Sequence, residues 1–71
     1  MKPSLGRIVL YHGIHSNGAD EHPAIITRVW SDVGVNLTVF PDNLNPVCKT
    51  SVTQDEQMMQ QFGWRWPPRV E

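Results

Sequence analysis

Cysteine occurs once in this chain, at Cys48, so an intramolecular disulfide is excluded. An excess of either charge is missing too. Six Lys and Arg against seven Asp and Glu leave a formal charge of -1, and general attraction to a phosphate backbone is not expected. Long hydrophobic runs are absent: "AIIT" and "LTVF" are far too short to cross a bilayer, and "MKPSLGR" lacks the apolar stretch of a signal peptide. No glycine-rich phosphate loop or dinucleotide fingerprint occurs. Length is also scarce. With 71 residues the chain has room for one domain and one core, and such a chain buries only about 60% of its unfolded surface. Without a disulfide, a metal or a partner subunit is left as reinforcement. A lone cysteine fits a reducing cytoplasm. Cys48 reads as a small apolar residue in or near a strand, and the chain as soluble and intracellular.

What the chain does have is short β-branched blocks. "GRIVLY" (Gly6 to Tyr11) predicts a first strand, and "HGIHSNGADEHP", rich in Gly, Asn, Ser and Asp, a loop after it. "AIITRVW" (Ala24 to Trp30) predicts a second strand beginning after Pro23, with Ala24, Ile26, Arg28 and Trp30 on one face. "SDVG" supplies a turn into "VNLTVF", where Val35, Leu37 and Val39 alternate with Asn36, Thr38 and Phe40. That alternation marks the Val35 face as core. After the turn "PDNLNP", "VCKTSV" reads as a fourth strand with Val47, Lys49 and Ser51 opposite Cys48, Thr50 and Val52.

The pattern then changes. In "TQDEQMMQQFG", Thr53 and Glu56 match a capping box, which predicts one or two helical turns ending near Gly63, with Met58, Met59 and Phe62 placed to dock on the sheet. "WRWPP" predicts a short last strand that the prolines stop, Trp64 and Trp66 on one face and Arg65 on the other. About five strands, a central hairpin and one short helix before the last strand predict a mainly β fold, a small SH3-like partly open barrel spanning the whole chain. An OB-like barrel wants longer strands, and a ferredoxin-like fold wants two real helices. Residues 1–4 and 69–71 read as loose ends.

The blocks "GRIVLY", "PAIITRVW", "VNLTVF" and "GWRWPPR", in this order, resemble a group of small bacteriophage-encoded proteins. The resemblance covers most of the chain. It implies a phage accessory protein with a compact β-barrel, working in the cytoplasm of an infected bacterium, and it carries over no catalytic residue. The stretches 13–22 and 54–61 lie outside it.

For chemistry, His12, His15 and His22 with Asp20 and Glu21 gather in or beside one loop, a set able in principle to hold a divalent metal, although the spacing matches no known ligand set. Ser16 is the nearest hydroxyl and no nucleophile turn surrounds it. The expectation is therefore a non-enzymatic chain with no catalytic residue, metal or cofactor. Trp64 and Trp66 pose a choice between closing the barrel and lining a pocket where rings stack and guanidiniums grip phosphate. On the second reading the ligand-binding set is Tyr11, Arg28, Trp30, Trp64, Arg65, Trp66 and Arg69, while Arg7 pairs with Glu71 or Asp55. Three Trp, two Phe and three Met are much apolar surface for so small a monomer, which points to a homo-oligomer. Two functions follow: capture of a nucleotide-like signal of host defence between subunits, or docking on a host or phage protein through Trp30, Trp64 and Trp66. Nucleic-acid binding, common among small barrels, ranks below both because of the net charge.

Overall fold

A computed structural model describes residues 2–68. The β-rich blocks form five strands: β1 (Ile8–Ser16), β2 (Ala19–Val29), β3 (Gly34–Val39), β4 (Val47–Thr53) and β5 (Gly63–Arg65). They make one antiparallel sheet in the order β4-β3-β2-β1-β5. A single parallel bridge between Gln54 and Trp64 brings the two edges together. The sheet thus curls into a half-barrel of the expected SH3-like kind.

The stretch 12–23, read as a loop, is instead the far end of the β1–β2 hairpin. Ser16 pairs with Ala19. Asn17 and Gly18 between them take φ of 52° and 81°, the double positive φ that a type I′ turn demands and that Asn-Gly tolerates best. Polar letters hid the strands because His12 and His22 stand at buried positions with hydrogen-bond partners. Pro23, expected to precede β2, lies inside it, opposite Leu10.

The core is Val9, Tyr11, Ala24, Ile26, Val35, Leu37, Val39, Val52 and Trp64, with Ile14 and Trp66 packed against it. Val35, Leu37 and Val39 share the interior face, as their alternation implied. Two bulges change the phase elsewhere. Ile26 pairs with Leu37 but Arg28 pairs with Asn36, so Thr27 is an extra residue. Ala24 and Ile26 therefore point inward while Arg28 and Trp30, expected on their face, are exposed. In β4, Lys49 faces Leu37 and Val52 faces Val35, and Ser51 in the gap has φ of 54°. That bulge brings Val52 into the core.

The expected short helix is not there; no helix occurs among the described residues. Thr53 is the last residue of β4 rather than a cap. Glu56 accepts from the Trp66 N–H and the Gln54 side-chain amide. Asp55, not Thr53, organises the segment. Its carboxylate accepts the Met59 and Gln60 amides at 3.0 and 2.8 Å, and its own N–H donates to the Trp64 carbonyl at 2.7 Å. These bonds wind the chain into turns, with Met58 at φ of 54°, and Met58, Met59 and Phe62 stay exposed.

Leu37→Ala is expected to cost about 2–5 kcal/mol, the usual range for a buried leucine. Leu44→Ala, at an exposed loop position, is expected to change stability by no more than about 0.5 kcal/mol. Urea midpoints check both; equal costs would contradict the core assignment.

Candidate functional site

The residues singled out for binding do not converge. Trp64 is fully buried, and its Nε1 donates to the Val33 carbonyl at 2.9 Å. Its ring is part of the core. Arg65, next along β5, makes a two-pronged contact with Glu21: Nε to Oε2 at 2.5 Å and a terminal nitrogen to Oε1 at 2.7 Å. The guanidinium holds the Glu21 carboxyl below its ordinary pKa, and Glu21 raises that of Arg65 in return. An arginine so engaged is committed to the β1–β2 hairpin.

Arg28 and Trp30 lie together at another place, near the β2–β3 turn. The guanidinium carbon sits 4.1 Å from the indole centroid, inside cation–π range. The Trp30 Nε1 donates to Asn36 Oδ1, which also accepts the Ser51 N–H from the β4 bulge. Trp30 is 55% exposed. Tyr11 is buried in the core, and burial raises the pKa of its phenol. With Gln60 and Phe62 it lines a groove of about 190 Å³ along Lys49–Thr53. Gly13 keeps this region compact: a Cβ there would lie 2.6 Å from the Phe62 Cβ and 2.8 Å from the Tyr11 hydroxyl, at a φ of 134°. Arg69 lies outside the described residues.

Trp66 is where an indole, a guanidinium and a concave surface meet. Its ring packs edge-on against Trp64, with centroids 5.4 Å apart and planes at 88°. The Arg7 guanidinium stands 5.9 Å from its centroid. With Gly6, Ile8 and Pro67 these residues line a cleft of about 400 Å³. The Trp66 Nε1 is shielded from water and has no hydrogen-bond partner.

The histidines follow separate paths. His22 Nε2 donates to the Ile14 carbonyl at 2.9 Å and Nδ1 accepts the Asp42 N–H at 3.1 Å, which defines a neutral ring tying β1 to the loop after β3. His15 Nδ1 meets the exposed Asp20 carboxylate at 2.5 Å. His12 is buried against Asp55, Nε2 to Oδ2 at 3.0 Å. No three His, Cys, Asp or Glu side chains gather as a metal site among the described residues. The His12–Asp55 contact has the form of a base with its orienting carboxylate, and no described hydroxyl or thiol hydrogen-bonds to its free Nδ1. Sequence reasoning did not find this pair, whose members are 43 residues apart.

No protein-family model, curated protein or solved structure matches the chain.

The Gln60 amide is the largest influence holding the Asp55 carboxyl below its ordinary pKa, helped by the Met59 amide and His12. Glu21 is lowered chiefly by Arg65. Carboxyls with depressed folded-state values stabilise fully above the unfolded carboxylate range, and that stabilisation is lost as pH falls through the folded values. The contribution of these two carboxyls should therefore be constant near neutral pH and fade as pH falls below about 4. Asp55→Asn should lower the urea midpoint at pH 7, and its deficit should shrink on acidification. A deficit that is independent of pH would contradict the role assigned to the carboxylate.

Proposed function

We propose that this chain acts by binding rather than by catalysis, taking a flat, anionic, nucleotide-like molecule in the cleft between Arg7 and Trp66. The observation that carries the reading is the geometry of that pair. A flat ring sandwiched between indole and guanidinium needs roughly 7 Å, twice a contact of about 3.5 Å. Arg28, at 4.1 Å, already covers its indole. Arg7, at 5.9 Å, stands at the outer limit of cation–π contact with Trp66, so that its guanidinium borders the cleft instead of lying flat on the ring. Stacking on an aromatic side chain contributes about 1–3 kcal/mol per base, and guanidinium recognises phosphate in two-pronged fashion. The volume of about 400 Å³ falls within the usual range for a ligand of nucleotide size, whereas the grooves of about 190 and 290 Å³ are small for one.

Together with the resemblance to phage-encoded proteins, this supports a phage accessory protein that sequesters a nucleotide-like defence signal in the cytoplasm of an infected cell. Sequestration needs affinity and copy number, not turnover. Exposed Ile8, Ile25 and Phe40 and the unpaired edge of β4 favour assembly into a homo-oligomer. A second reading, docking on a host or phage protein, is favoured by the exposed Arg28–Trp30 stack, held rigid through Asn36 and of the residue types that dominate interface energies.

Calorimetric titration with linear and cyclic nucleotides and ADP-ribose derivatives is the test. At least one should bind, and Trp66→Leu and Arg7→Gln should each weaken it tenfold or more while Arg28→Gln leaves it unchanged. If none of these ligands binds and host lysate yields a stoichiometric protein partner that Trp30→Ala releases, the second reading replaces the first.

A further inference from the structure

A second site, independent of the Arg7–Trp66 cleft, lies at the open side of the half-barrel beside Lys49. In β4 the ladder sets Lys49 opposite Leu37. Paired residues direct their side chains to the same face of a sheet, and Leu37 belongs to the core. Lys49 therefore stands on the interior side of an edge strand, where it is half-buried. A lysine so placed covers apolar surface with its stem and carries its ammonium to the mouth of the core. The other described lysines and arginines are engaged: Lys2 with Asp32, Arg7 with the Trp66 ring, Arg28 with the Trp30 ring and Arg65 with Glu21. Among the described residues, Lys49 is the cation that meets neither a carboxylate nor a ring.

Lys49 lines the groove of about 190 Å³ together with Tyr11, Val52, Gln60 and Phe62. Tyr11 brings a second unpaired group to it. Its hydroxyl hydrogen-bonds to no described residue and is not among the atoms sealed from water. The same hydroxyl lies next to Phe62, since a Cβ on Gly13 would meet both. Burial raises the pKa of the phenol, so it remains a donor. Phe62 is 58% exposed and leaves aromatic surface open beside these donors. No described Asp or Glu lines the groove. A cation would meet an ammonium here and no counter-charge, and an uncharged ring would leave the ammonium unanswered. An aromatic ring carrying an acid group would answer both the apolar wall and the donors. The space is small for a nucleotide and suits a single ring.

We propose that this groove binds a small aromatic carboxylate, its ring against Phe62 and Val52 and its acid group accepting from the Lys49 ammonium and the Tyr11 hydroxyl. Benzoate and phenylacetate are the probes. The controls are acetate, with the charge and no ring, benzamide, with the ring and no charge, and benzylammonium, with the opposite charge. Each is titrated into the full chain at constant pH and ionic strength while the backbone amides of residues 49–53 and 60–62 are followed by NMR. Saturable shifts in both stretches are expected with at least one probe and with none of the controls, and added salt should weaken the binding.

Lys49→Met, which keeps an apolar stem on the strand, should leave the spectrum of the rest of the chain unchanged and weaken the probe about tenfold or more, the usual worth of a hydrogen bond to a charged group. If that variant perturbs the fold, Lys49→Gln takes its place with the same expectation. Tyr11→Phe, which leaves the core ring standing, should weaken the probe several-fold, and Arg7→Gln should leave it unchanged. Absence of saturable shifts with both probes, binding of any control as tight as that of the probes, or shifts that gather around Arg7 and Trp66 would overturn the proposal. So would a folded Lys49 variant, or Tyr11→Phe, binding as tightly as the parent.

Discussion

The half-barrel depends on one side chain, Trp64. A last strand of only three residues, Gly63–Arg65, cannot hold a sheet edge by ladder hydrogen bonds alone. Trp64 makes up the difference by touching several parts of the chain at once. It pairs with Tyr11 of β1, its carbonyl accepts the Asp55 N–H, and its indole N–H reaches the Val33 carbonyl in the β2–β3 turn. Large aromatic area and a satisfied polar end together give a small core what it otherwise lacks. This use of the indole has a functional consequence. Trp64 is already spent on the fold, and Trp66, packed edge-on against it, is half-buried and lines a cleft.

The interior is polar for so small a domain. His12, His22 and Asp55 are buried, and each does the work of a cross-link that a chain with one cysteine cannot make covalently. His22 uses both ring nitrogens and Asp55 gathers three donors. Among the described residues, the buried side-chain atoms left without partners are the His12 Nδ1 and the Trp66 Nε1. Both belong to side chains that line cavities.

Much of the sheet was legible from local pattern. Val35, Leu37 and Val39 alternate with polar residues, and four β-rich blocks separated by turn residues already imply a small curled sheet. What escaped was decided by contacts between distant residues. Thr53 and Glu56 carry a sound local helix signal, but Asp55 finds its partners at Trp64 and His12, and the chain turns instead. The hairpin tip was missed because imidazoles at interior positions look polar in sequence while packing like core. The bulges at Thr27 and Ser51 reverse which residues face inward, a change that period-two counting cannot register. Two arginines chosen for a pocket could be placed only by the structure, Arg65 against Glu21 and Arg28 over Trp30, while Arg7, read as an ion-pair residue, also lines a cleft.

Hydrogen exchange at the Trp64 indole N–H, followed by NMR beside the indole of Trp30, tests the central claim most directly. If Trp64 closes the barrel, its indole proton exchanges only when the whole molecule unfolds, at a rate that tracks global stability as urea is added, while that of Trp30 exchanges far faster. Rapid exchange at Trp64 that ignores urea would mean that the seam opens freely and that the fold rests on something else.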